Sequence, residues 1–348
     1  MATVFEIVRS AAAMLRAAGV DTPEHDAKLL CAEAFGTQLQ DVDKAMLMGS
    51  DVESLAATCV GSVPKESQTA EAARFVQSDR PVQSEAAQSV QSEAGQSVQS
   101  EAAQSVQTAL SDFHAMVDRR MKREPLQHIT GHAPFRYLDL KVGPGVFIPR
   151  PETELIVQEG IDWATKHGMY AARAVDLCAG SGAIGLAFVT EMPGSEVWAV
   201  EKSERTAQWT RRNLDETAKT YPSIASNYHL EIADATLNPT LSHLDGTVDI
   251  VLTNPPYVPL TNVPQQPEVR DYDPQMALYG GSADGTLIPE LIIDRAAGLL
   301  RQGGLLVMEH DITQGDRLTA YANAHGFTDV LVRNDYTNRP RYLVAEKA

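Results

Sequence analysis

Cysteine is scarce in this 348-residue chain, and the three that occur, Cys31, Cys59 and Cys178, lie far apart. An odd number with no CxxC pair supports neither a disulfide framework nor a zinc site, and it suits a reducing cytoplasm. Positive charge is also short: Lys+Arg 29 against Asp+Glu 46 leaves a formal net charge of -17. Long nucleic acid is held by clustered Lys and Arg, so this balance argues against a broad nucleic-acid-binding face. No apolar run approaches the roughly 20 residues that a bilayer span requires, so no membrane association is expected. At the N-terminus, Glu6 and Arg9 interrupt any apolar stretch. Val4, Ile7, Val8, Ala11, Leu15 and Ala18 follow helical spacing instead, so an amphipathic helix is expected there rather than a targeting sequence.

What is present is ordinary for a globular protein, with 43% hydrophobic and 22% charged residues. At about 150 residues per domain, the length suggests two domains. One segment stands apart. From Val82 the chain reads VQSEAAQS, VQSEAGQS, VQSEAAQS and then VQT. Gln, Ser, Ala and Glu can bury little apolar surface to offset the entropy of ordering. Val82, Val90, Val98 and Val106 recur every eight residues, a step of about 800° around a helix, so they drift by about 80° per repeat and form no continuous seam. Residues 62–108 are therefore expected to be a solvated insert, disordered or weakly helical, with no catalytic role.

Helical patterns flank this insert. Thr22-Pro23-Glu24 is a helix start and Gly36 a stop. Ser111-Asp112 is expected to open another helix, with Phe113, Met116, Val117 and Met121 on one face, ending before Pro125. Residues 1–125 thus read as an N-terminal helical domain interrupted by the insert. Residues 126–150 read as a linking β-hairpin, with short strands at Ile129-Thr130-Gly131, Phe135-Arg136-Tyr137 and 138–142. In residues 151–348, strands expected at 174–178, 196–200, 229–232, 249–253, 305–309, 329–332 and 342–345 alternate with helices at 183–190, 204–214 and 287–300. This alternation predicts an α/β fold with a seven-stranded parallel sheet and helices on both faces. Ligands of such sheets sit at the carboxyl ends of the strands.

The informative residues do follow strands. After the first comes Asp176-Leu-Cys-Ala-Gly180-Ser-Gly182-Ala-Ile-Gly185. Gly180 and Gly182 allow a tight turn that brings backbone N–H groups to a ligand at a helix N-terminus. The string also satisfies GxGxxG, so a dinucleotide site and a purely packing role for the glycines both stay open. Glu201, ending the second strand, can accept hydrogen bonds from the two hydroxyls of a ribose. Asp234, after the third, can accept one from an adenine amino group or simply cap a turn. The fourth strand ends in Asn254-Pro255-Pro256-Tyr257. Consecutive prolines supply carbonyls without N–H groups, the Asn side chain adds a donor and an acceptor, and the Tyr ring is a flat face. Together they form a slot for a planar nitrogen group whose two N–H bonds need acceptors.

This constellation resembles the class I S-adenosylmethionine-dependent methyltransferases, which implies a Rossmann-like sheet and S-adenosyl-L-methionine as cofactor, with no metal. The resemblance assigns Asp176, Ala179, Gly180, Ser181, Gly182, Glu201, Asp234 and Asn254 to cofactor binding. Residues 147–154, Phe-Ile-Pro-Arg-Pro-Glu-Thr-Glu, preceded by Glu124-Pro-Leu-Gln-His-Ile-Thr-Gly131, are similar to the signature of the HemK-type peptide chain release factor glutamine N5-methyltransferases. So are Ala277-Leu-Tyr-Gly-Gly281, Asp284-Gly285, Gly303-Gly304, Glu309-His310 and Gln314. That likeness implies a substrate glutamine in the Gly-Gly-Gln loop of a release factor. Asn254, Pro255, Pro256 and Tyr257 would be catalytic, and Phe147, Arg150 and Glu152 would belong to a loop over the substrate. The N-terminal helices would help dock the partner, and a cytoplasmic monomer is expected.

Two positions depart from the family pattern, Cys178 and Asp311, each where glycine is usual. Competing readings are a ribosomal-protein glutamine methyltransferase, a nucleic-acid adenine N6 or guanine N2 methyltransferase using the slot on a flipped base, and a non-enzymatic nucleotide-binding Rossmann module. The acidic balance disfavours the nucleic-acid substrate. His128, His132 and His310 fall in no recognisable catalytic arrangement, and Ser181 lacks the elbow of a hydrolase nucleophile.

Overall fold

The computed structural model describes residues 2–60 and 86–348. The chain divides into two compact units, Met1–Thr130 and Gly131–Ala348.

The first unit is helical: α1 (Val4–Ala17), α2 (Pro23–Ala34), α3 (Leu39–Met48), α4 (Val52–Val60), α5 (Ala86–Met121) and α6 (Leu126–Thr130). A reciprocal cap starts α1. The Glu6 N–H donates to Thr3 Oγ1 at 3.2 Å, and the Thr3 N–H donates to Glu6 Oε2 at 2.8 Å. Val4, Val8, Ala11 and Leu15 then face the core, as their spacing requires. Arg120 near the end of α5 donates to the buried Asp26 carboxylate of α2 at 2.7 Å.

The structure corrects the expected insert. Residues 86–108 run within α5, so no new helix opens at Ser111-Asp112. Val106 is buried with Phe113 and Val117. Spacings of seven and then four residues keep these three on one helical face, so the last octad contributes to the core. The remainder of that expectation, residues 62–85, lies outside the described residues. Ile129 and Thr130 are also corrected, from strand to helix: the Pro125 carbonyl accepts the N–H groups of His128 and Ile129 and winds the segment into α6.

The second unit opens with an antiparallel hairpin, β1 (His132–Phe135) and β2 (Leu138–Lys141). There follow α7 (Glu154–Lys166), β3 (Arg173–Leu177), α8 (Ala183–Glu191), β4 (Glu196–Glu201), α9 (Glu204–Thr220), α10 (Ile224–Asn227), β5 (Tyr228–Ile232) and β6 (Val248–Thr253). The chain ends with α11 (Pro267–Tyr272), α12 (Gln275–Leu278), α13 (Leu287–Leu299), β7 (Leu300–Glu309), α14 (Gly315–Ala324), β8 (Phe327–Asn334) and β9 (Pro340–Lys347).

The seven-stranded sheet has the order β5-β4-β3-β6-β7-β9-β8. All seven strands fall where expected, with one difference in direction: β9 is antiparallel to both β7 and β8. The two-residue period of the strands assigns alternate side chains to opposite faces. On one face Ala174, Ile250 and Leu252 pack with Ile156, Leu186 and Phe188. On the other, Val175, Leu177 and Val251 pack with Ile292, Ile293 and Leu318. The sheet is therefore sandwiched in a Rossmann-like α/β fold, and its order reverses between β3 and β6, at whose carboxyl ends a crevice opens.

Candidate active site

A pocket of about 240 Å³ opens at these carboxyl ends. Ala179, Gly180 and Ser181 after β3, Glu201 ending β4, Asp234 after β5, and Asn254, Pro256 and Tyr257 after β6 all line it, as does Phe147. Asp176, Gly182, Pro255, Arg150 and Glu152 do not line it.

Asp176 is buried beneath the loop, where its Oδ2 accepts the Gly185 N–H at 2.9 Å. Burial pushes its carboxyl up to about 7. Its contact with the ligand loop is thus indirect, through the start of α8. Gly182 caps α8 at φ +85°, and a Cβ there would lie 2.9 Å from Thr210 Cγ2. Gly180, at φ +61°, faces open space, so its backbone is accessible from the pocket. Cys178 also has a positive φ, 66°. The left-handed region favours glycine, so a cysteine here carries backbone strain. Burial pushes the Cys178 thiol up, away from the reactive thiolate.

The Glu201 carboxylate accepts the N–H groups of Gly180 at 3.0 Å and Ser203 at 2.7 Å. Burial raises its carboxyl above the ordinary range against these two bonds. Each oxygen retains a further lone pair toward the pocket. Asp234 accepts from Lys202 Nζ at 2.8 Å and from the Thr236 hydroxyl at 2.6 Å. Burial works against its charge, but Lys202 and Thr236 hold it below the usual carboxylate range.

At the other end, Asn254 Nδ2 donates to Thr153 Oγ1 at 3.2 Å. The Thr153 hydroxyl donates to Glu309 Oε2 at 2.7 Å, and the Tyr257 hydroxyl to Glu309 Oε1 at 2.7 Å. Burial raises the Glu309 carboxyl, opposed by both hydroxyls. Burial and the adjacent Glu309 push the Tyr257 phenol well up. Gly285 and Gly280 are packed against backbone: a Cβ on Gly285 would sit 2.2 Å from the Tyr257 carbonyl oxygen. Asp311 fits its turn, since its Oδ1 accepts the Thr313 N–H at 2.9 Å ahead of α14.

Of the loop residues expected near the substrate, Phe147 reaches the pocket. Arg150 instead stacks its guanidinium 5.0 Å from the Phe147 ring centroid and donates to Asp273 at 2.8 Å. Glu152 lies in the single 3-10 turn Pro151–Thr153 before α7. Thr153 and Glu309 were not among the residues read as site candidates. The signals were the place of Glu309 at the end of a strand and of Thr153 within the 147–154 signature, though neither side chain was assigned a role there. His310 is fully buried with Nδ1 2.8 Å from the Asp311 carbonyl, and His132 lies against Asp139, so neither lines the pocket. Among the described residues no helix is long and apolar enough to cross a membrane.

A family model described as "Conserved hypothetical protein 95" matches residues 127–266. The chain is 59% identical over 98% of its length, and 99% of the other's, to the release factor glutamine methyltransferase of Bifidobacterium longum. Proteins of the same name from Streptomyces coelicolor and Mycolicibacterium smegmatis are 46% and 36% identical, over 68% and 98% of this chain and 83% and 96% of theirs.

Proposed function

Since the chain belongs to the release factor glutamine methyltransferase family, we propose that its pocket transfers a methyl group from S-adenosyl-L-methionine to N5 of the Gly-Gly-Gln glutamine of a peptide chain release factor. The observation that carries this reading is a single pocket with a glycine turn and Glu201 at one end and the Asn254–Tyr257 turn at the other. The residues fit the cofactor. Gly180 leaves backbone open to a ligand, Glu201 keeps lone pairs for a ribose diol, and Val200, Ala235 and Leu291 supply apolar walls for an adenine.

When bound, S-adenosyl-L-methionine supplies a methyl group on a sulfonium, a strong electrophile. The chain's own task is to present the nitrogen. An amide lone pair is delocalised into its carbonyl, so the nitrogen attacks poorly unless it is held in line. Asn254 Oδ1 would accept one amide N–H bond, favouring the charge that develops on nitrogen; the family resemblance implies the Pro255 carbonyl, behind the pocket lining, as the second acceptor. Pro256 fixes the backbone of that turn, and Tyr257 packs against the amide. Phe147 and Pro149 add apolar lining to the same pocket. Alignment of this kind supplies about 7–11 kcal/mol in the best intramolecular systems. The methylated nitrogen becomes acidic and loses its proton to a neighbouring carbonyl or to water, so no dedicated strong base is required.

The net charge of -17 supports a protein substrate, basic enough to work on the ribosome, over a nucleic acid. A translation factor as substrate supports a cytoplasmic location. The helical unit Met1–Thr130 would serve release factor docking. The test is calorimetric titration with S-adenosyl-L-methionine and with NAD, followed by turnover of Asn254→Ala on a release factor. The reading expects the methyl donor to bind, NAD not to, and turnover to fall by about two orders of magnitude or more with donor binding intact. Preference for NAD, or unchanged turnover, would overturn it.

A further inference from the structure

The geometry points to Glu309 and Thr153 as positioning residues that fix which end of the Asn254 amide faces the substrate, an inference that rests on the glutamine reading above. With the Thr153 and Tyr257 hydroxyls each donating to one of its oxygens, Glu309 acts as a carboxylate that only accepts hydrogen bonds, and this orders the network outward from it. Its Oε2 is 2.7 Å from Thr153 Oγ1, so the single Thr153 proton points to Glu309. The Thr153 oxygen can then only accept from its other neighbour. That neighbour is Asn254, 3.2 Å away, which must offer its NH2 group. Asn254 Oδ1 is thereby left for the pocket, where a glutamine side-chain N–H needs an acceptor. The other carboxylate oxygen takes the Tyr257 hydroxyl at 2.7 Å, so the same group also holds the aromatic face.

The central link is protected from water. Glu309 is 2% exposed and Thr153 3%, so the Thr153 hydroxyl cannot readily trade its Glu309 partner for solvent, while Asn254 and Tyr257 are half-buried where they meet the pocket. The linkage spans 156 positions between Thr153 and Glu309 and 101 between Thr153 and Asn254. It assigns the 147–154 signature a chemical contribution at Thr153, where Arg150 and Glu152 have none in the pocket.

Glu309→Gln is the discriminating variant because it keeps shape and reverses polarity. A glutamine satisfies one hydroxyl as acceptor and the other as donor. If its NH2 faces Thr153, the Thr153 proton turns to Asn254, whose amide must flip and present NH2 to the substrate. Steady-state methylation of a purified release factor would be compared for wild type, Glu309→Gln, Thr153→Val and Thr153→Ser. Thr153→Val would also be made in an Asn254→Ala background. Calorimetric binding of S-adenosyl-L-methionine reports that each variant is folded. Expected are kcat losses of about 100-fold for Glu309→Gln and Thr153→Val with donor affinity retained. Thr153→Ser should recover most of the loss, and Thr153→Val should cost no more than about twofold once Asn254 is gone. Wild-type kcat in Thr153→Val, or an undiminished further loss in the Asn254→Ala background, would overturn the inference. A wild-type enzyme that binds the donor yet leaves the glutamine unmethylated would overturn the function itself.

Discussion

Gln314 holds the Tyr257 backbone in place: its Nε2 donates to the Tyr257 carbonyl at 2.8 Å and, with its second proton, to the Asp284 carbonyl at 2.8 Å. Its own Oε1 accepts the Asp311 N–H at 3.0 Å, so all three polar positions of one amide are used. A side chain 57 positions from Tyr257 thus pins the turn that forms the slot, through a network shared with the Gly285 loop. Gln314→Glu, isosteric but without donors, should strand both carbonyls beside a carboxylate. Urea unfolding should show a loss of about 1–3 kcal/mol, and a denaturation midpoint equal to that of wild type would refute this role.

Cys178 should tolerate glycine and reject valine. At φ +66° any side chain is strained, and a β-branched one most of all. Cys178→Gly relieves strain of about 1–2 kcal/mol but loses a little packing and gains unfolded-chain entropy. Its stability should therefore stay within about 1 kcal/mol of wild type, while Cys178→Val should fall at least about 2 kcal/mol below it. Denaturation midpoints in the opposite order would show that the backbone does not govern this site.

Glu201→Ala should weaken S-adenosyl-L-methionine binding more than it affects use of the release factor. Two hydroxyl contacts to a charged acceptor are worth about 1.5–3 kcal/mol each, so the dissociation constant should rise at least about tenfold. Titration calorimetry reads this directly, and an unaltered constant would remove Glu201 from the cofactor site.

Asp176 should make stability fall as pH rises through neutrality. Burial lifts its folded-state carboxyl to about 7, above the roughly 4 of an unfolded aspartate. The proton it retains contributes stability that is fully present below about pH 4 and is lost as pH climbs through about 7. Asp176→Asn keeps an oxygen for the Gly185 N–H and removes this titration. The melting temperature of the variant relative to wild type should rise between about pH 4 and about pH 7, the span of the shift, and level off above it. A constant difference across that range would show that Asp176 is not held protonated.

Much of this was legible before the structure. The strands announced themselves by alternating with helical stretches, and the chemistry-bearing residues by falling just after them, because a buried sheet exposes only its loop ends to ligand. Direction was not legible: β9 has the same periodicity whether it runs parallel or antiparallel. The octad repeat misled at its edge. Val106 belongs by sequence to the repeat but by its spacing to Phe113 and Val117 to the core. The β-branched Ile129 and Thr130 disguised the end of α6 as a strand. Least visible was the Thr153–Glu309–Tyr257 network, since hydrogen bonds between residues far apart in sequence leave no local pattern.

The central claim is that the Asn254 slot delivers a methyl group to one glutamine nitrogen. Peptide mass spectrometry of a release factor incubated with the enzyme and S-adenosyl-L-methionine tests it most directly. The account predicts a single added methyl group on the glutamine of the Gly-Gly-Gln loop, lost with Asn254→Ala. A methyl group on any other residue, or an undiminished yield with Asn254→Ala, would contradict it.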